Sequence, residues 1–227
     1  LNFNIKDINP SLREKIITSL HEHLKFIDRF PEYSDVSGNH YLSNLMGKSI
    51  LCFFLYGNSS NEFKQALNLF KIVAESGVVE AQAHLGRMYF VEGESVVQNY
   101  LEALKWLMVS AEQDNSSGQY YLGVMYDNGI GIDENNEEAA KWYQLSAEQG
   151  DSDAQNNLGA MYHFGEGVPQ NFQKAVEWYR MSAEQGDVTG QYNLGWMYDN
   201  GKGVDQNKEE AAKWYQLSAE QNYSDAQ

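Results

Sequence analysis

The chain repeats itself, and the period decides what it can fold into. Residues starting at Ala81, Gly118, Ala154, Gly190 and Ala226 open similar stretches, spaced by 37, 36, 36 and 36 residues. A period in this range marks a stacked array of small supersecondary units, each unable to bury its apolar face alone.

One copy shows what the unit is. Ala154, Leu158, Met161 and Tyr162 fall at i, i+4, i+7 and i+8, one face of a first α-helix. Gly165, Gly167 and Pro169 then stop it, and Asn171 is placed to cap a second helix whose inward face is Ala175, Trp178, Tyr179, Ser182 and Ala183. In sister copies Asn99, Asn135 and Asn207 are followed three residues on by Glu102, Glu138 and Glu210, a capping-box spacing with Asn as the cap. Gly150 and Gly186 end second helices in a left-handed conformation, with Asp114 and Asn222 in their place elsewhere. Gly86, Gly123, Gly159 and Gly195 sit inside first helices, where each costs about 1 kcal/mol relative to Ala. Accepting that cost four times predicts close approach of the paired helices, with the tryptophan of the second helix near the gap.

The run Ala-x-x-x-Leu-Gly-x-Met-Tyr, a Gly-x-Gly-Val loop, then Ala-x-x-Trp-Tyr-x-x-Ser-Ala-Glu-Gln-Gly-Asp resembles the Sel1-like repeat, a relative of the tetratricopeptide repeat. Leu158, Gly159, Tyr162, Gly165, Gly167, Ala175, Trp178, Tyr179, Ala183 and Gly186 carry the resemblance, with their equivalents one period away. It covers residues 81–227 strongly and 41–80 weakly. It implies an all-α, right-handed superhelical solenoid of helix-turn-helix repeats that serves protein-protein interaction rather than catalysis and calls for no cofactor. The expected organisation is an N-terminal helical cap at 1–40 and a degenerate repeat at 41–80. Regular repeats follow at 81–117, 118–153, 154–189 and 190–225, and a further one starts at 226–227.

Composition narrows the partner. With 32 acidic against 16 basic residues the formal charge is −16, which repels nucleic-acid phosphates and permits a basic protein partner, although a solvated acidic surface accounts for most of it. Many of the acids, such as Glu137, Glu138, Glu209 and Glu210, also fall in first turns of helices, where the dipole stabilises them. The longest apolar run, Ile50 to Tyr56, is far short of the roughly 20 residues that span a bilayer. Cys52 is the only cysteine, so no disulfide forms within the chain, unlike the cysteine-rich members of the family. The start at Leu1 rather than Met, and the end just inside a new copy, lead us to expect a longer parent protein.

The rest of the chain carries little chemistry. Leu12, Ile16, Ile17, Leu20, Leu24 and Ile27 form the stripe of an N-terminal helix placed to cover an open array end. His21 and His23 do not share a helix face, and His40, His84 and His163 belong to separate units, so no metal cluster follows. The acidic loop from Asp127 to Glu138 lacks the alternating ligands around a central glycine that a calcium loop needs.

Laying the copies over one another separates positions the fold holds fixed from those it leaves free. On the first helix the free ones include Ala83, Tyr120, Asn156 and Tyr192, then Arg87, Val124 and Trp196, then Phe90, Asp127, His163 and Asp199. Spaced i, i+4 and i+7, they share a face distinct from the leucine face. His84, Tyr121, Asn157 and Asn193 border it. In the tetratricopeptide relatives the matching face lines a concave groove that receives extended peptides, and the resemblance implies the same here. Rings, amides and two aspartates suit a protein or peptide partner with apolar and basic side chains. The alternative is a structural role, with array ends associating end to end or serving as an accessory region of a larger protein.

Overall fold

The computed structural model describes residues 71, 72, 74–90 and 98–221, and over these the chain is helical with no strand. The expected N-terminal helix, Cys52, the degenerate copy before residue 71, the loop at 91–97, Asn222 and the closing Ala226-Gln227 lie outside the described residues. Eight helices are described: α1 (Val79–Phe90), α2 (Tyr100–Glu112), α3 (Ser116–Asn128), α4 (Asn136–Glu148), α5 (Ser152–Phe164), α6 (Phe172–Glu184), α7 (Val188–Asn200) and α8 (Lys208–Gln221). They pair as α1–α2, α3–α4, α5–α6 and α7–α8 hairpins, an all-α repeat fold of the solenoid type. The chain divides into two compact units, residues 1–113 and 114–227. In the second, α4 also packs on α5 and α6 on α7, and each of these junctions between hairpins holds its own buried apolar cluster.

Local chemistry sets the helix ends. The side-chain oxygens of Asn99, Asn135, Asn171 and Asn207 accept the N–H three residues on, at 3.2, 3.1, 3.0 and 3.1 Å. The other half of the capping box is replaced. Each cap's own N–H is donated to the carbonyl of the tyrosine near the end of the preceding helix, Tyr89, Tyr126, Tyr162 or Tyr198. That bond closes the loop inside every hairpin, and no glutamate is needed to satisfy the cap N–H.

The turns between hairpins are tighter still. Gly150, at φ 97°, donates to Ala147 O, and Asp151 N–H donates to Ser146 O, the two bonds of a Schellman motif. Asp151 at once caps α5 by accepting from Ala154 N–H at 2.8 Å. Gly186 and Asp187 do the same before α7. Asp114, at φ 66°, stands where the glycine would be before α3.

The mid-helix glycines mark the close approach, but tyrosine fills it rather than tryptophan. A Cβ on Gly123, Gly159 or Gly195 would lie 2.7, 2.7 or 2.9 Å from the ring of Tyr143, Tyr179 or Tyr215, and one on Gly86 would lie 2.6 Å from Leu107. Trp178 and Trp214 pack only partly buried beside the core. Neighbouring residues on a helix point about 100° apart, so Trp and Tyr cannot both face the gap.

A buried polar ladder runs beside this core. Gln82, Gln119, Gln155 and Gln191 are all buried. Their oxygens accept from Gln113, Gln149, Gln185 and Gln221 of the partner helix at 2.7–3.0 Å. Gln155 and Gln191 also donate back to Ala147 O and Ala183 O of the previous hairpin, clipping one repeat to the next. Both the amide oxygen and nitrogen are thereby satisfied, as burial requires.

Candidate functional site

In the second unit the free face of the first helices lies on α3, α5 and α7. Its rings divide by burial. Tyr120 packs against the core of α4 and α5, edge-on to Tyr121 at 5.0 Å and 6.1 Å from Tyr143, and Val124 joins it. Trp196 packs against the core of α6 and α7 and lies 4.9 Å from the His163 ring of the preceding first helix. Tyr192 alone among these rings is open to solvent, 53 % exposed, its ring 5.4 Å from Tyr215.

One amide contact ties neighbouring repeats together, and the acids bond within their own hairpins. Asn193 donates from Nδ2 to Asn156 Oδ1 at 2.8 Å, and Asn156 donates to Asn157 at 3.4 Å. Asp127 accepts from the Tyr143 hydroxyl at 3.2 Å; burial raises its carboxyl above the usual range, with Glu166 and Glu134 adding to the rise. Asp199 pairs with Lys208. His163 is held below its usual value by burial and by Lys202.

In the first unit the four predicted residues lie on α1. Ala83 is in the core, Arg87 is exposed, and Phe90 meets Tyr100 edge-on at 6.1 Å. Burial pushes His84 down to about 4, with Arg87 adding.

Two features of the face were not drawn from the sequence. Phe164, 62 % exposed, stacks on His163 at 4.4 Å, in a place where the sister copies carry Asn128 and Asn200. At the other end of the helices stand Asp151, Asp153 and Asp187. Burial first, then mutual repulsion, raises Asp151 to about 6, and the same causes raise Asp153.

That geometry carries a pH signature. A carboxyl whose folded pKa lies above its unfolded value of about 3.9 binds more protons folded than unfolded. Its stabilising contribution is full below about pH 4 and is lost as pH rises through about 6. Asp151→Asn keeps an acceptor of the kind Asn115 already supplies to α3 and removes the charge. Relative to wild type it should gain on the order of 1–2 kcal/mol at pH 7.5, discounted for partial solvation, and nearly nothing at pH 4. Denaturant melts at both pH values check this; a gap that does not change with pH rules it out.

A family model described as Sel1 repeat matches residues 79–115, 116–151, 152–187 and 188–223. The chain belongs to the Sel1 repeat family. Its repeats are of a kind generally used as protein-interaction modules and typically non-catalytic. Among solved structures, the protective antigen c5321 of uropathogenic Escherichia coli strains, with an SLR fold, matches at 33 % identity and TM-score 0.69 over 87 % of this chain and 41 % of that one. A Sel1 repeat protein from Oxalobacter formigenes matches at 27 % identity and TM-score 0.70, covering 94 % and 84 %. The rat protein DAP3-binding cell death enhancer 1 is 34 % identical over 74 residues, 33 % of this chain and 14 % of that protein's length. Among the described residues no group of His, Cys, Asp and Glu could hold a metal ion, and no helix is long and apolar enough to cross a membrane.

Proposed function

We infer that this Sel1 array is an adaptor that binds a partner protein through an extended segment laid across the first helices α3, α5 and α7. The observation that carries it is Tyr192, a large ring left 53 % exposed on a face where the repeat pattern does not require one. Tyrosine is favoured at interface hot spots because it offers wide apolar contact and a polar tip. On the same face Asp153 is exposed, with no lysine or arginine paired to it among the described residues. The segment it suits has apolar and basic side chains. The name of the DAP3-binding relative supports a protein as the class of partner, over the 74 residues shared.

The test pairs affinity capture with a double variant, Tyr192→Ala and Asp153→Asn, at a temperature where the measured melts show both proteins fully folded. A captured partner, re-expressed and titrated, should bind the variant at least about tenfold more weakly. Equal affinity would remove the first-helix face as the site.

A further inference from the structure

Every second helix of the second unit carries the same column: a tryptophan, an aliphatic residue three positions on and a glutamate three beyond that. The columns are Trp142, Leu145 and Glu148 on α4, Trp178, Met181 and Glu184 on α6, and Trp214, Leu217 and Glu220 on α8. Residues three apart are neighbours on a helix surface, so each column runs obliquely over about a third of the circumference, its aliphatic residue adjacent to both the tryptophan and the glutamate. Leu145, Met181 and Leu217 are 42, 49 and 43 % exposed, in three consecutive repeats, and the three glutamates are exposed beside them.

Trp178 packs partly buried against the core formed by α4 and α5, and Trp214 against that of α6 and α7, so each column is anchored at its tryptophan and open at its other end. The cations of these helices are already engaged: Lys141 with Glu138, Lys213 with Glu210, Lys208 with Asp199, Lys174 with Tyr162, and Arg180 with the Tyr198 hydroxyl. What remains on the columns is apolar and negative. Exposed apolar surface rimmed by polar residues is the kind that marks interaction sites.

We propose that this second-helix face is a separate docking surface, and that it takes a basic amphipathic helix of a partner protein. Charge selects that occupant. A second copy would set glutamate row against glutamate row between chains of formal charge −16, and an anionic membrane would be repelled in the same way. A helix with leucines on one flank and lysines on the other matches both halves of each column.

The probe is a synthetic helix of about five turns with leucine at i, i+3, i+4 and i+7 and lysine elsewhere, titrated into the full chain by fluorescence anisotropy at physiological salt. We expect saturable binding that weakens at least about tenfold in Leu145→Ser/Met181→Ser/Leu217→Ser. Glu148→Gln/Glu184→Gln/Glu220→Gln should weaken it too and flatten its salt dependence. Tyr192→Ala/Asp153→Asn should leave it unchanged, which separates this face from the first-helix site. All the altered side chains are exposed, so the variants should keep the wild-type melt, which is measured first. Three results would each overturn the proposal: no saturable binding, equal binding by wild type and the serine variant, or equal binding of a peptide with glutamate for every lysine. Sedimentation adds a fourth, a dimer of the chain itself that vanishes in the serine variant.

Discussion

Gly167→Ala is expected to lower stability by about 3 kcal/mol, a large effect for one methyl group. Two costs add. Gly167 sits at φ 66°, where a side chain costs roughly 1–2 kcal/mol. Its Cβ would also lie 2.0 Å from the carbonyl oxygen of Asn136 and 2.3 Å from the carbonyl carbon, in the first turn of the preceding repeat's second helix. Backbone cannot swing aside as a side chain can, so the two hairpins must part, and overpacking of this kind costs roughly 1–3 kcal/mol more. Gly165→Ala is the control. Gly165 shares the left-handed conformation at φ 79°, but its nearest neighbour would be the Gln170 side chain at 3.1 Å. It should lose only about 1–2 kcal/mol, the conformational part. Gly203, 2.2 Å from the Phe172 carbonyl, should behave like Gly167. Denaturant midpoints for the three variants decide the matter: equal losses at 165 and 167 would mean that repeat-to-repeat contact is not what requires glycine.

The hairpins were legible because their signals are local. Asn caps, paired glycines and i, i+4, i+7 leucine spacing each act within a turn or two of chain, and the helices end where those residues stand. What escaped depends on the partner across a gap. Tyr179 rather than Trp178 meets Gly159 because of the rotational setting of the two helices, which neither segment encodes by itself. Gln119, Gln155 and Gln191 are polar residues that the apolar spacing does not mark as core, yet they are buried, since each finds a partner in another helix. Their recurrence at one place in every copy was the available clue. The candidate face divided in the same manner. Comparison of copies shows that Tyr120, Tyr192 and Trp196 occupy variable positions, but only packing shows that Trp196 meets His163 and Tyr192 meets solvent.

Tyr179→Ala should cost about 3–5 kcal/mol, the range for removing a large buried ring from a site that cannot collapse. Tyr179 is 1 % exposed and belongs to the core of α6 and α7, and Gly159 opposite it has no side chain to move into the space. The ring rather than the hydroxyl is responsible. Tyr179→Phe should therefore be nearly neutral, whereas Tyr143→Phe should lose about 1 kcal/mol, because the Tyr143 hydroxyl donates to half-buried Asp127 at 3.2 Å. A sharper consequence concerns Gly159→Ala. In the wild type the new Cβ would sit 2.7 Å from the Tyr179 ring and destabilise by about 1–3 kcal/mol. In the Tyr179→Ala background that obstacle is gone, and the same change should stabilise by about 1 kcal/mol, the helix preference of Ala over Gly. The four proteins form a double-mutant cycle measurable by denaturant unfolding. A change of sign establishes that the mid-helix glycine exists to admit the tyrosine ring; a loss of the same size in both backgrounds would mean that Gly159 serves some other contact.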